Sequence, residues 1–169
     1  MDVEFQGYYP GVVGKIIESH AVYYFENWGF DVNFETQVGR ELSEFVSNFD
    51  KNRDSLWVVT RQKKFAGALA IDGRQAVTEG VRLRWFIVEP KFQNIGIGKS
   101  LIRKAVEFCK KKRYPKVYLW TFKGLESARR LYEAADFRLC EESDVLQWGQ
   151  NIKEQKYELA LPESSLNNR

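Results

Sequence analysis

Phe86-Ile87-Val88-Glu89-Pro90-Lys91-Phe92-Gln93-Asn94-Ile95-Gly96-Ile97-Gly98-Lys99-Ser100-Leu101 decides how the rest of the chain is read. An apolar strand-like run ends at Val88, a short loop turns, and glycines at 96 and 98 open a helix. The first turn of a helix presents about four N–H groups without intrahelical partners and roughly half a positive charge. Glycine leaves no Cβ between those groups and a ligand, so the backbone can close on a phosphate. A ligand carrying a diphosphate is the natural guest. Two common phosphate loops do not fit. The pattern G-x-x-x-x-G-K-[ST] is met at Gly98-Lys99-Ser100 but requires glycine at 93, where Gln93 stands. The dinucleotide fingerprint requires three glycines and an acid about 20 residues on; here a single G-x-G is followed at that distance by Tyr114-Pro115-Lys116.

Downstream of the loop, residues 98–112 form an amphipathic helix with Leu101, Ile102, Ala105, Val106, Phe108 and Cys109 on one side. Pro115 blocks it. A strand over 116–120, a helix over 125–134, a strand over 137–140 and a last strand over 155–161 follow. Upstream, strands over 55–60 and 65–71 flank the polar break 61–64 and read as an antiparallel hairpin, with a long strand over 80–88 after it. Two helices come first, over 12–25 and 34–49, separated by Gly29. A strand-helix-strand crossover is right-handed and gives parallel neighbours. The order therefore predicts an α/β fold, an α+β mixed sheet with an antiparallel first half and a central parallel strand-helix-strand step. Residues 1–162 are expected to form a single domain and 163–169 a flexible tail.

Composition narrows the function classes. At 169 residues the chain is long enough to bury one sizeable core without disulfides or a structural metal. A net charge of +3 is too mild to argue for nucleic acid. Much of the excess sits in Lys110-Lys111-Lys112-Arg113, where cations suit a helix C-terminus. Two distant cysteines and one histidine cannot assemble an ordinary zinc site, so no metal is expected. No apolar run reaches the length of a membrane span, and Met1-Asp2-Val3-Glu4 shows neither the basic nor the apolar region of a signal peptide, so none is expected. These features predict a soluble, cytoplasmic protein that engages neither membrane nor nucleic acid.

The loop as a whole resembles the acetyl-CoA loop of the GCN5-related N-acetyltransferases (GNAT family), with Phe86, Val88, Pro90, Gln93, Gly96 and Gly98 at the matching positions. Asn94 stands where glycine is usual, and asparagine tolerates the left-handed conformation. Further on, Ala128, Leu131-Tyr132-Glu133 and Phe137 resemble the family's second motif. Leu125 replaces its usual asparagine, and Asp136, expected to serve as a helix C-cap, replaces its glycine. The match covers residues 57–137 well. Outer segments, including Pro10-Gly11, His20 with Tyr24, Gly29-Phe30-Asp31, Phe34-Glu35 and Tyr157-Glu158-Leu159, are similar to the acetyltransferase halves of proteins that fuse such an enzyme to a MarR-type DNA-binding domain. With no winged-helix segment here, a stand-alone form is expected.

The resemblance implies the GNAT fold and direct transfer of an acetyl group from acetyl-CoA to an amine, on a small molecule or a protein. A non-catalytic acyl-CoA-binding regulatory module is the alternative. On the resemblance, the backbone of Gln93, Asn94, Ile95, Gly96, Ile97, Gly98 and Lys99 grips the pyrophosphate. Phe86, Ile87 and Val88 pair with the pantetheine arm, and a backbone N–H there would meet the oxyanion if a bulge splays the strand. Lys99 and Arg103 read equally as phosphate contacts or solvated helix residues. Tyr132 holds the position of the general acid. Glu79 is the first candidate for the base. His20, Tyr24 and Glu35, on the opening helices, are candidates to shape the acceptor pocket or to act as the base. Many folds of this kind are homodimers. The acceptor is not legible.

Overall fold

Alternating and helical hydrophobic periods resolve into seven strands and four α-helices in the computed structural model, which describes residues 2–163. In chain order these are β1 (Val3–Gln6), α1 (Val12–Trp28), α2 (Val32–Ser47), β2 (Ser55–Arg61), β3 (Lys64–Asp72), β4 (Val81–Val88), α3 (Ile97–Lys111), β5 (Lys116–Phe122), α4 (Glu126–Ala134), β6 (Arg138–Gln147) and β7 (Gln150–Ala160). One sheet runs β1-β2-β3-β4-β5-β7-β6. Among the described residues only β4 and β5 pair in parallel, across the α3 connection.

Helices cover the two faces because the strands alternate. Val81 and Leu83 of β4 turn toward α3, whose Leu101, Ile102, Ala105 and Cys109 join Leu69, Ile71, Val117 and Leu119 in the main core. Each fully buried Val, Leu or Ile side chain among them contributes about 1.5–3 kcal/mol of transfer free energy. On the other face Val12, Ile16, Leu42 and Phe45 of α1 and α2 pack on Leu56, Val58, Ala68 and Ala70. A third, largely aromatic cluster (Phe30, Phe34, Val38 and Phe122, with Tyr24, Trp28 and Trp148 against it) joins α1 and α2 to β5 and the β6–β7 turn. Gly29 ends α1 in the left-handed region (φ 70), and the Asp31 carboxylate caps α2 by accepting from the Asn33 N–H at 3.0 Å.

Three sequence expectations need correction. β1 lies in a stretch read only for the absence of a signal peptide; Val3 and Phe5 point into the main core while Glu4 and Gln6 face out. β6 was expected to end at 140 but continues to Gln147, and β7 begins at Gln150 rather than 155. Both extensions are mostly polar, with only Val145, Leu146 and Ile152 apolar, so they lack a hydrophobic period. Cross-strand ion pairs of Lys153 with Asp144 and Lys156 with Glu141 run along them instead. Trp148 and Gly149, both at positive φ, make the two-residue turn between them. The expected tail, beyond Glu163, lies outside the described residues. Asp136 does take the left-handed conformation (φ 70), one residue past the α4 cap Ala135.

Candidate functional site

The site begins with a sheet that comes apart. β4 and β5 share only two paired positions, Val81 with Val117 and Arg82 with Tyr118. Beyond them the strands diverge. A bulge helps to turn β4: its register on β3 jumps from Ala68–Ile87 to Ala70–Arg84, and Trp85 sits at φ 50. An aromatic residue in that region is strained by about 1–3 kcal/mol. The Phe45 ring, 5.3 Å away, and the Arg84 guanidinium, 4.2 Å above the indole, hold it there.

Two cavities open along the divergence. The first, ≈ 390 Å³, lies on the α1/α2 side and is walled by His20, Tyr24, Trp85, Trp120, Tyr132 and Trp148, among others. The second, ≈ 580 Å³, runs from Phe86-Ile87-Val88 past Gln93, Asn94, Gly96, Gly98 and Lys99 to the start of α4. Both volumes suit a small-molecule ligand. Tyr24, Phe86, Leu125 and Ala128 line both, so the cavities meet there.

The loop is built as an anion cradle. Asn94 (φ 63) and Gly96 (φ 92) are left-handed, and Gly96 is the α3 N-cap without a side-chain hydrogen bond. Among the described residues no acceptor is assigned to the backbone N–H groups of residues 94–99. Gly98 has a packing reason as well: a Cβ there would lie 2.9 Å from Leu131 Cδ1 and 3.3 Å from Phe86 Cζ. The Glu89 N–H donates to the Ala66 carbonyl of β3 at 2.9 Å. Successive residues of a strand face opposite neighbours, so Val88 directs its N–H and C=O toward the cleft. Its carbonyl accepts from Gln93 Nε2 at 3.1 Å. The Ser19 hydroxyl donates to the Glu89 carboxylate and ties α1 to this end of β4.

Orphaned polar atoms mark the same cleft. Among the described residues, three buried side-chain atoms lack a partner: Trp28 Nε1, Arg82 Nε and Gln147 Oε1. Trp28 lines the second cavity; Arg82 and Gln147 line the first. Buried polar atoms in folded proteins nearly always find partners, so these three suit contacts to a ligand.

Most of the expected cofactor residues meet here, with exceptions. Ile97 is buried in the main core and Ile95 packs against it, which leaves only their backbone to the cavity. Arg103 is exposed on α3 and lines neither cavity. Tyr132 lines the first cavity, its ring 6.0 Å from that of Phe86. Burial, reinforced by Tyr24, raises its phenol pKa, so it remains protonated at neutral pH. Tyr24 also lies at the junction, and burial raises its pKa too. His20 is buried in the first cavity; Nδ1 lies 2.7 Å from the Ile16 carbonyl, and burial pulls its pKa down to about 4. It is neutral at pH 7, with Nδ1–H donating.

Glu79 and Glu35 fall elsewhere. Glu79 precedes β4 at the end remote from the loop, roughly 20 Å of strand from Phe86. It accepts from the Tyr118 hydroxyl at 3.2 Å, in a charged recess with Asp72, Arg74, Arg82 and Arg84. In that recess burial pushes the Asp72 carboxyl up, but the hydrogen bonds and charge of Arg74, with Arg84 beyond, leave it below the ordinary range. Glu35 is exposed in the first turn of α2 and lines neither cavity. Sequence reasoning missed Tyr23, Asn27, Trp28 and Arg130 on the second cavity. Arg130 sits between Arg129, which is held by Glu126 and Glu133, and Leu131 of the second motif, and that adjacency was the available signal. Among the described residues no group of three or more His, Cys, Asp or Glu side chains could hold a metal.

Known proteins share this family and fold. The Acetyltransferase (GNAT) family matches residues 15–137. N-acetylaspartate synthetase of Danio rerio is 33% identical over 88 residues, 52% of this chain and 31% of its own. The Xenopus tropicalis protein of the same name is 28% identical over 107 residues, 63% of this chain and 39% of its own. The chain thus spans under two-fifths of these relatives. Among solved structures, YncA of Salmonella typhimurium with its cofactor acetyl-CoA superposes with a TM-score of 0.75 at 12% identity, covering 99% of both chains.

Proposed function

Because the chain belongs to the acetyltransferase (GNAT) family, we propose that it is an N-acetyltransferase that moves the acetyl group of acetyl-CoA directly onto an amine of a small molecule or a protein. One observation carries this reading. The divergence of β4 and β5 joins an N–H-rich loop to an aromatic cavity through a junction walled by Tyr24, Phe86, Leu125 and Ala128.

On this reading the N–H groups of residues 94–99 and the exposed Lys99 and Arg130 hold the pyrophosphate and its neighbouring phosphate. The outward N–H and C=O of Val88 receive the pantetheine arm as an added strand would. A Val88 N–H in that position also faces the charge that develops on the thioester oxygen. Tyr132, protonated by virtue of its burial, gives a hydrogen bond or a proton to the departing sulfur. The acceptor enters through the first cavity, past His20 and Tyr24. Glu35, from its exposed turn, would touch only an acceptor large enough to reach beyond the cavity.

Calorimetric titration with acetyl-CoA, run beside Gly96→Glu, tests the donor. Micromolar binding that the variant loses supports the proposal, and absence of binding to the wild-type protein rejects it. Release of CoA with an amine panel then separates an enzyme from a non-catalytic acyl-CoA-binding regulator. Amino acids belong in that panel because two relatives are named for N-acetylaspartate synthesis. The finer likeness of the outer segments to the MarR-fused acetyltransferases remains part of this proposal. So does a cytoplasmic setting, which accords with two free cysteines, Cys109 buried and Cys140 exposed. No helix among the described residues is long and apolar enough to cross a membrane. In a homodimer, β6 at the sheet edge, exposed along most of its length, is where a second copy would pair.

A further inference from the structure

An amine reaches an acetyltransferase mostly as an ammonium, because its pKa lies near 10.4. It must lose a proton before its lone pair can attack. Two carboxylates line the first cavity, Glu41 and Glu154. Glu41 is committed: it takes an ion pair from Arg84 and a hydrogen bond from Gln37. Glu154 is half-buried on β7, and among the described residues no hydrogen bond or ion pair is assigned to its side chain.

The register places Glu154 where a proton acceptor is needed. It pairs with Phe122 of β5, so their Cβ atoms lie about 5 Å apart on one face of the sheet. The Phe122 ring is 5.9 Å from that of Tyr24, which stands at the junction of the two cavities. Around it the walls are aromatic, with Trp120, Phe122, Trp148 and Tyr24 in the same cavity, and aromatic faces attract an ammonium. The charged and titratable groups that share this cavity are His20 and Tyr24 of α1, Glu41 of α2, Arg82 and Arg84 of β4 and Tyr132 of α4. On its own hairpin, Lys156 is engaged by Glu141 and Glu158, and Lys153 by Glu142 and Asp144.

We propose that Glu154 is the general base: its carboxylate meets the acceptor's ammonium and takes its proton. The N–H bond breaks toward the carboxylate and the freed lone pair forms the new N–C bond. The C–S bond breaks, the sulfur leaves with the electron pair and takes a proton from Tyr132; the nitrogen's second proton, lost as the amide forms, restores the Tyr132 phenol, and Glu154 releases its own proton to solvent. This deepens the acetyltransferase reading and rests on it. It replaces Glu79, which the fold holds at the far end of β4.

The test compares two probes of similar shape, benzylamine, which is protonated near neutral pH, and O-benzylhydroxylamine, which is not. Glu154→Gln is expected to lower kcat with benzylamine by about a hundredfold, in the range typical of general-base removal. Turnover of O-benzylhydroxylamine should stay within about threefold of wild type. With benzylamine the variant's kcat/KM should climb about tenfold per pH unit below the amine's pKa, because only free amine reacts. Glu154→Asp should restore part of the rate. Equal losses on both probes would assign Glu154 a structural role and overturn the inference. So would no loss on either. Titration of benzylamine into the CoA-bound protein gives a readout without turnover: tenfold weaker binding to Glu154→Gln is expected, and no binding to the wild type overturns the inference. Acetyl-CoA titrated into both proteins keeps the two readings apart. Normal donor binding with a failed amine result sinks Glu154 alone; no donor binding sinks the acetyltransferase reading itself.

Discussion

Tyr132 and His20 are both buried at the first cavity, and burial does opposite things to them. For Tyr132 it opposes the phenolate, so the residue stays a donor but a reluctant acid. A thiolate with a parent pKa near 8.5 leaves reasonably well unaided. Tyr132→Phe should therefore reduce kcat by about three- to a hundredfold without abolishing turnover, measured as CoA release at saturating substrates; a smaller loss removes Tyr132 from the mechanism. For His20 burial opposes the imidazolium and brings the pKa to about 4, against 6.5 for an unperturbed side chain. The unfolded chain therefore binds the proton first. Its stabilisation is present in full above pH 6.5 and is lost as pH falls toward 4, by an amount on the order of 3 kcal/mol. Urea denaturation at steps between pH 7.5 and 4.5 should show this decline in the wild type and a flatter profile in His20→Gln. Parallel profiles would mean that His20 titrates normally. Both residues were candidates from the sequence, Tyr132 from its motif and His20 from its place on the opening helices. Burial, which decides their protonation, was not legible there, because it depends on Phe86 of β4, Phe137 of the α4–β6 connection and Tyr157 of β7 meeting around Tyr132.

The loop and α3 were written locally: two glycines, an amphipathic period and a proline fix their ends, so the reading of 98–112 differs from Ile97–Lys111 by one residue. Strands without a hydrophobic period were not written locally. β7 was expected to begin at Gln155, one residue beyond Glu154, and the error concealed the carboxylate now assigned as base. The bulge in β4 was foreseen only as a condition. Beside it β4 approaches Gly67 of β3 closely: an added Cβ there would lie 2.7 Å from the Ile87 carbonyl oxygen and 3.4 Å from Val88 Cα. Backbone atoms yield less readily than the tip of a side chain. Gly67→Ala should therefore push β3 and β4 apart just where Val88 turns to the cleft. The expected result is a loss of about 1–3 kcal/mol in denaturant stability, with at least tenfold weaker acetyl-CoA binding by calorimetry. Unchanged affinity in a folded variant would show that the Val88 backbone is not part of the donor site.

At the scale of the whole molecule the sheet is two blades, β1 to β4 and β5 with β7 and β6, joined in parallel at two positions. No local pattern encodes that divergence; Tyr24 of α1 and Ala128 of α4 line the cavities that open at it, between strands that the sequence presents as ordinary neighbours. The fold class was therefore accessible from element order, whereas the cleft required the assembled molecule. A donor lying along Val88 and the α4 start would bridge the blades and replace the missing strand pairing. Any ligand bound only by the folded state stabilises it, by about 2.7 kcal/mol at a hundredfold excess over Kd. For a chain of this size that corresponds to a rise in Tm of roughly 5–10 °C. Bridging predicts more than the rise: hydrogen exchange should slow on acetyl-CoA binding in the loop at 94–99 and in the diverging ends of β4 and β5, at 83–88 and 119–122. The β6–β7 turn at 148–149, beyond the donor's reach, should exchange as before. Protection confined to the loop would mean that phosphates bind without an arm along β4, and uniform protection would reduce the effect to global stabilisation. Protection of both blades from the cleft outward identifies the divergence as the place where the donor completes the sheet.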